Sequence, residues 1–192
     1  MNKKLRKVLL LVLLNILGCD ETPDDMLIKG SKNGDVHMVF TAMLKGASRY
    51  NEAMTEAALN GHIAIVDRLL NNVGDLDTPM CMAAKGGHIE IVKIMMNNGA
   101  TRFDSALLAA CLEGHLDIAE LMINQGARSY GLALKEASIG GHREVVEYML
   151  EVGKEDYEEE NYKSAIKAAK ERGHMHIVYL LEVRYSNKRQ NL

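Results

Sequence analysis

Histidine gives this chain its widest scope for chemistry, because imidazole binds zinc and acts as a general base near neutral pH. Seven histidines are present, and five of them follow a glycine at successive intervals of 26, 27, 27 and 32 residues. Zinc ligands must converge on one ion at about 2.0–2.1 Å each. Side chains at equivalent places in stacked helical units lie about 8–10 Å apart, so we predict no metal site. The five pairs are Gly61-His62, Gly87-His88, Gly114-His115, Gly141-His142 and Gly173-His174.

No sequence pattern for catalysis or cofactor binding accompanies the histidines. The chain lacks a glycine-rich phosphate loop, a His-Glu-x-x-His zinc motif and a Gly-x-Ser-x-Gly nucleophile elbow. Glu90, Asp117 and Glu144 each follow the histidine of a pair by two residues, in the first turn of a helix, where acids stabilise the macrodipole. We therefore predict a protein without catalytic residues or cofactors. The alternative is an enzyme whose site lies among the acidic residues at 154–160.

The glycine–histidine pairs mark an internal repeat, and a sixth, degraded member stands at Gly34-Asp35. A small residue four positions before each glycine indicates a helix that another helix approaches closely. Large apolar residues three and four positions after each histidine, and again one turn later, indicate a second, amphipathic helix. Repeats of this length stack into a solenoid, so the predicted fold is all-α, with about six short helix-turn-helix units. The small residues are Gly30, Ala57, Ala83, Ala110, Ala137 and Ala169.

One unit carries four landmarks in order, Thr78-Pro79, Ala83-Ala84, Gly87-His88 and Gly99-Ala100. With these landmarks the unit resembles an ankyrin repeat, and the resemblance extends over about residues 26–183. It implies a protein-binding solenoid in which the glycine–histidine pairs are structural and the histidine supports its turn by hydrogen bonding. The units have 26–27 residues where the family has about 33, and the missing residues are those of the β-hairpin. We expect reduced or absent hairpins, with any binding surface on the first helix of each unit and on the short loops.

A ladder of mostly aromatic residues stands eleven positions before the repeat glycines. Tyrosine is favoured at binding hot spots, so one interpretation is an exposed stripe that binds a partner. The alternative is that the rings pack each loop onto the next repeat. Neighbouring residues that differ from unit to unit are further candidates for partner contacts. The ladder is Tyr50, Leu76, Phe103, Tyr130 and Tyr162, and the candidate partner-binding residues are Arg49, Tyr50, Asn51, Arg102, Phe103, Arg128, Ser129 and Tyr130.

The N-terminal segment has the pattern of a secretory signal. A basic start precedes the apolar stretch Val8–Leu17, and the residues around Cys19 resemble a bacterial lipobox. This pattern predicts a signal peptide at 1–18, a lipid anchor on Cys19 and a polar tether at 19–25. The alternative is an N-terminal helix packed on the first repeat.

The charge distribution favours a protein partner over a nucleic acid. The formal net charge is −3, and outside the basic first seven residues nineteen basic side chains are set against 26 acidic ones. Such an acidic surface disfavours contacts with phosphate. We therefore predict a monomeric, non-catalytic protein–protein interaction module, with a repeat domain at 26–183 and a polar tail at 184–192.

Two further alternatives share this fold. One is a membrane-anchored lipoprotein whose repeats bind a partner in the cell envelope. The other is an effector or viral host-interaction protein. The predicted location depends on the N-terminal segment: anchored or exported if it acts as a signal, and cytoplasmic otherwise.

Overall fold

The computed structural model describes residues 21–190, which form twelve α-helices in sequence. Each repeat contributes an inner helix, which precedes the repeat glycine, and an outer helix, which follows it. The helices of repeats 1–3 are α1 Pro23–Asn33, α2 Val36–Leu44, α3 Tyr50–Leu59, α4 Ile63–Leu69, α5 Asp77–Gly86 and α6 Ile89–Asn97. Those of repeats 4–6 are α7 Phe103–Glu113, α8 Leu116–Asn124, α9 Tyr130–Gly140, α10 Arg143–Val152, α11 Glu159–Glu171 and α12 Met175–Gln190.

The six helix pairs stack into one array. Consecutive inner helices pack side by side along the array, whereas consecutive outer helices meet at only a few points. Because the inner helices pack more closely than the outer ones, we infer that the array curves toward them, and we call their solvent-facing side the concave face. No β-strand occurs between residues 21 and 190, so the prediction of an all-α solenoid without β-hairpins is confirmed.

Small side chains allow the inner helices to approach one another. Ala57 and Ala58 of α3 are fully buried, as are Ala83 and Ala84 of α5. Cys111 takes one of these small positions in α7, and its burial raises the pKa of the thiol to about 12. It therefore behaves as a small apolar side chain rather than a nucleophile. Both helices of a repeat supply large core residues. The inner helices contribute Leu27, Met54, Met80, Leu107 and Leu134, and the outer helices contribute Ile65, Leu69, Ile91, Met95, Ile118, Met122, Val145 and Met149.

The start of the array differs from the sequence prediction. The predicted tether at 19–25 overlaps α1, which begins at Pro23. Thr22 caps this helix by accepting a hydrogen bond from the backbone N–H of Asp25, and proline is favoured at the first helical position. The repeat domain therefore begins before residue 26.

The long step between repeats 5 and 6 is folded around Tyr157. This side chain is buried, and its hydroxyl donates a hydrogen bond to the carbonyl oxygen of Met149 at 2.6 Å. The C-terminal helix α12 continues to Gln190, through most of the predicted polar tail, because Lys188 Nζ donates to the carbonyl oxygen of Tyr157 at 2.6 Å. The insertion and the helical extension thus hold each other in place.

Candidate protein-binding surface

The histidines of the glycine–histidine pairs join neighbouring repeats. His88 Nε2 donates to the carbonyl oxygen of Leu59 at 3.1 Å, and His115 Nε2 donates to that of Lys85 at 3.1 Å. His62 and His174 make the same bond, to the carbonyl oxygens of Lys32 and Ile139, each at 3.0 Å. Every acceptor lies in the last turn of the preceding inner helix, where carbonyl groups lack partners within the helix.

The glycine of each pair leaves space for the histidine side chain of the following repeat. Gly87 has φ +78°, and a Cβ there would lie 2.6 Å from Cε1 of His115. Gly114 has φ +86°, and a Cβ there would lie 2.5 Å from Nδ1 of His142. A side chain would therefore be strained by the backbone conformation and would also displace the imidazole ring. The sequence did not reveal this contact between each histidine and the glycine of the preceding repeat.

A second set of bonds joins the repeats at the opposite end of the inner helices. Asp77 Oδ1 accepts from the backbone N–H groups of Thr101 at 2.7 Å and Arg102 at 2.8 Å. Asp104 Oδ1 accepts from those of Arg128 and Ser129, both at 2.8 Å. Each carboxylate thus holds the loop that leads into the next inner helix.

Equivalent residues in the first two repeats, Asp24 and Asn51, accept hydrogen bonds in the same way. Asp24 Oδ1 accepts from the N–H groups of Ser48 at 2.6 Å and Arg49 at 3.0 Å, and Asn51 Oδ1 accepts from that of Gly74 at 3.1 Å. The hydrogen bond from Ser48 is the main cause that lowers the pKa of Asp24. We call these bonds, accepted by Asp24, Asn51, Asp77 and Asp104, the carboxylate ladder. It was not predicted from the sequence, although Asp or Asn recurs ten positions before four successive repeat glycines.

These bonds occupy much of the predicted partner-binding cluster. Backbone N–H groups of four predicted residues donate in the carboxylate ladder, and the side chain of a fifth, Asn51, accepts in it. The four donors are Arg49, Arg102, Arg128 and Ser129. The side chain of Arg49 pairs with Glu52, and that of Arg128 donates to the carbonyl oxygen of Ala127 at 2.7 Å. Tyr50, Phe103 and Tyr130 are half-buried against the core at the starts of inner helices. The structure brings all eight residues to one edge of the concave face, and their part in binding a partner stays a prediction.

The concave face carries apolar side chains at its centre. The solvent-facing positions of the inner helices lie nine, six, five and two residues before each repeat glycine. In repeats 3–5 most of these positions are apolar, and Leu132 is 55% exposed. We call Met82, Leu108, Leu112, Leu132 and Ile139 the inner apolar patch.

Polar residues border the patch on both sides along the array. Glu52 and Glu56 occupy two of these positions in repeat 2, and Lys167 and Glu171 occupy two in repeat 6. A cavity of about 270 Å³ lies between α9 and α11, and its wall is mostly polar, with Lys135, Lys167 and Glu171 among the lining residues. The centre of the concave face is therefore richer in apolar side chains than its borders, although Lys85, Lys135 and Glu136 also lie within repeats 3–5.

Stacked helix pairs with a fixed interlock and one open concave face define a helical-repeat protein. A family model described as ankyrin repeats matches the chain in three overlapping copies, at residues 26–102, 53–131 and 80–161. This chain belongs to the ankyrin-repeat family. A search of curated proteins found no match.

Two predictions concern residues that the structure does not describe. The signal peptide at 1–18 and the lipidated Cys19 lie outside residues 21–190. Within the described range, no helix is long and apolar enough to cross a membrane. In the same range, no three His, Cys, Asp or Glu side chains are placed to share a metal ion.

Proposed function

We propose that this chain is a non-catalytic, monomeric adaptor that binds another protein on its concave face, with the inner apolar patch as the centre of the contact. Ankyrin repeats in general suggest a protein-interaction module. The observation that carries the assignment to this surface is the concentration of apolar residues in repeats 3–5, between repeats in which most of the same positions are polar. An apolar centre with a polar rim is the usual arrangement of a protein–protein interface.

The bonds between repeats support this function because they make the surface rigid. The inner helices of repeats 3 and 4 are fixed to each other at opposite ends. His115 bonds to the carbonyl oxygen of Lys85 at one end, and Asp77 bonds to the N–H groups of Thr101 and Arg102 at the other. A surface that is already ordered loses little conformational entropy when a partner binds. The patch is therefore presented in one arrangement.

The predicted loop residues supply the rim at one edge. Arg128 lies 6.0 Å from the centre of the Tyr130 ring, and Arg102 is exposed in the equivalent loop. Charged residues at an interface rim contribute more to orientation and association rate than to affinity. We expect these arginines to guide a partner whose apolar side chains contact the central patch.

A displayed library of random peptides tests this assignment without a known partner. Peptides selected on the intact chain should be rich in apolar residues and should slow hydrogen exchange in α5, α7 and α9. Selection of peptides that protect only the outer helices α6, α8 and α10 would contradict the proposed site. A nucleic-acid library should yield no binder that competes with these peptides, because the surface is acidic.

A further inference from the structure

The outer helix of the first repeat carries an exposed apolar stripe that the middle repeats lack. Val36, Phe40 and Leu44 of α2 are 45%, 42% and 73% exposed and lie one above another on the helix. Phe40 and Leu44 stand six and ten residues after the repeat glycine, positions that are apolar also in the last repeat, at the far end of the array. In repeats 2–5 these positions hold Asp67 and Asn71, Lys93 and Asn97, Glu120 and Asn124, and Glu147 and Glu151.

Stacking of the repeats does not explain the stripe. Four repeats of the same array tolerate charged or amide side chains at these two positions, so the fold does not need apolar groups there. The guanidinium of Arg68 lies over the stripe, 4.8 Å from the centre of the Phe40 ring. Leu44, the most exposed of the three side chains, lies at the C-terminal end of α2.

The chain enters the first repeat beside that end of the stripe. Asp24, in the first turn of α1, bonds to the backbone of Ser48, four residues after Leu44. Lys45 Nζ lies 3.7 Å from the sulfur of Met26, one turn into α1. Residues that precede Glu21 therefore enter at the same end of the first repeat as Leu44, and the Glu21 carboxylate pairs with Lys29 at 2.7 Å.

The preceding residues have the composition and length that the stripe requires. Val8–Leu17 contains nine apolar residues and Asn15, and three residues separate it from Glu21. Three residues reach about 10 Å, and the stripe extends over about 12 Å of helix, which the ten residues of Val8–Leu17 match in length as a helix of about 15 Å. A segment attached this closely has an effective concentration of about millimolar, which favours it over a separate partner.

We propose that Val8–Leu17 docks on the stripe formed by Val36, Phe40 and Leu44. Docking removes two neighbouring apolar surfaces from water at once, which is the main favourable term in such a contact. The segment is then a permanent part of the folded domain. It lies on the outer side of the array, so the concave face stays open to a partner.

Photo-crosslinking in the full-length chain tests this proposal. Benzoylphenylalanine at position 40 replaces one exposed aromatic residue by another, and the same group at Asp67 marks the equivalent position in repeat 2. After irradiation, position 40 should crosslink within the monomer to residues in Val8–Leu17, located by fragment-ion mass spectrometry, and position 67 should not. The Leu11→Asp and Leu13→Asp double variant should lower the yield at least about tenfold, because a buried carboxylate opposes docking.

The competing fates of the segment give different results. A mature protein whose intact mass lacks residues 1–18 would overturn the proposal and support the signal peptide. Crosslinks from position 40 to lipid, to detergent or to a second copy of the chain would also overturn it. An equal crosslinking yield in the double aspartate variant would show that apolar docking is not the cause.

Discussion

The imidazole of His115 bonds through Nε2 to the carbonyl oxygen of Lys85 and lies against the backbone of Gly87, where a Cβ would come within 2.6 Å of its Cε1. A histidine and a glycine from successive repeats therefore form one interlocking unit. The packing of histidine against glycine recurs along the array, at Gly34 with His62, Gly61 with His88, Gly114 with His142 and Gly141 with His174. The interval between glycine–histidine pairs in the sequence is therefore the interval at which this contact recurs.

Substitutions at two glycines with the same φ distinguish the free-energy cost of backbone strain from that of displacing the histidine. Gly46 and Gly114 both have φ +86°, but a Cβ at Gly46 meets nothing within 4 Å. Gly46→Ala should destabilise the fold by about 1 kcal/mol through backbone strain alone. Gly114→Ala should cost a further ~1–3 kcal/mol because His142 must move. Urea unfolding measures both, and equal losses would show that the imidazole ring yields freely.

The carboxylate ladder should make stability depend on pH in the acid range. Burial opposes ionisation of Asp104, but the N–H groups of Arg128 and Ser129 outweigh it and hold the pKa of Asp104 below its usual value. A lowered pKa in the folded state adds stability above the unfolded-state pKa of about 3.9, and this contribution is lost as the pH falls through the folded value.

Asp104→Asn is the variant that isolates this effect. Asn51 fills the same position in repeat 2 and accepts the equivalent hydrogen bond, so the amide should preserve the loop. The variant should be less stable than the natural protein at pH 7, by about 1 kcal/mol or less, and the difference should shrink as the pH falls below the unfolded-state pKa and through the lowered folded-state pKa. A constant difference between these pH values would show that the carboxylate charge contributes nothing.

Tyr157 should act as an anchor for the long loop. Its hydroxyl bonds to the carbonyl oxygen of Met149 at 2.6 Å, and the side chain is 3% exposed. Tyr157→Phe should cost about 1 kcal/mol, because it removes a buried hydrogen bond to a carbonyl oxygen that also accepts from the N–H of Gly153 at 3.0 Å. Tyr179→Phe is the matched control, since Tyr179 is 73% exposed and should change the unfolding free energy by less than about 0.5 kcal/mol. Equal effects would exclude an anchoring role.

The sequence predicts the repeat but not the contacts between repeats. Small residues such as Ala83 and large ones such as Ile91 define each helix pair, because helical periodicity is a local property. The bond from His115 to Lys85 joins residues thirty positions apart, and only the stacking distance reveals it. Asp104 has a local explanation as an acid at a helix N-terminus, which conceals its bond to the next loop.

The candidate site was predicted only in outline. The short repeat length predicts reduced or absent hairpins, and the described residues contain no β-strand. The placement of a binding surface on the inner helices stays a prediction. The aromatic ladder draws attention to Tyr50, Phe103 and Tyr130, which the fold half-buries. Leu132 has no unusual feature in the sequence, because an apolar residue in a helix is most simply assigned to the core. Only its 55% exposure identifies it as surface.

The central claim is that the inner apolar patch binds a protein partner. The most direct test is the affinity of a selected peptide ligand for Leu132→Glu, compared with the matched outer-surface control Asn124→Glu, which adds the same charge at an exposed site. Leu132→Glu should weaken binding at least about tenfold with little loss of stability, because a carboxylate at the centre of an apolar contact must be desolvated. Asn124→Glu should leave the affinity unchanged. Equal affinity for both variants would contradict the assignment of binding to the concave face.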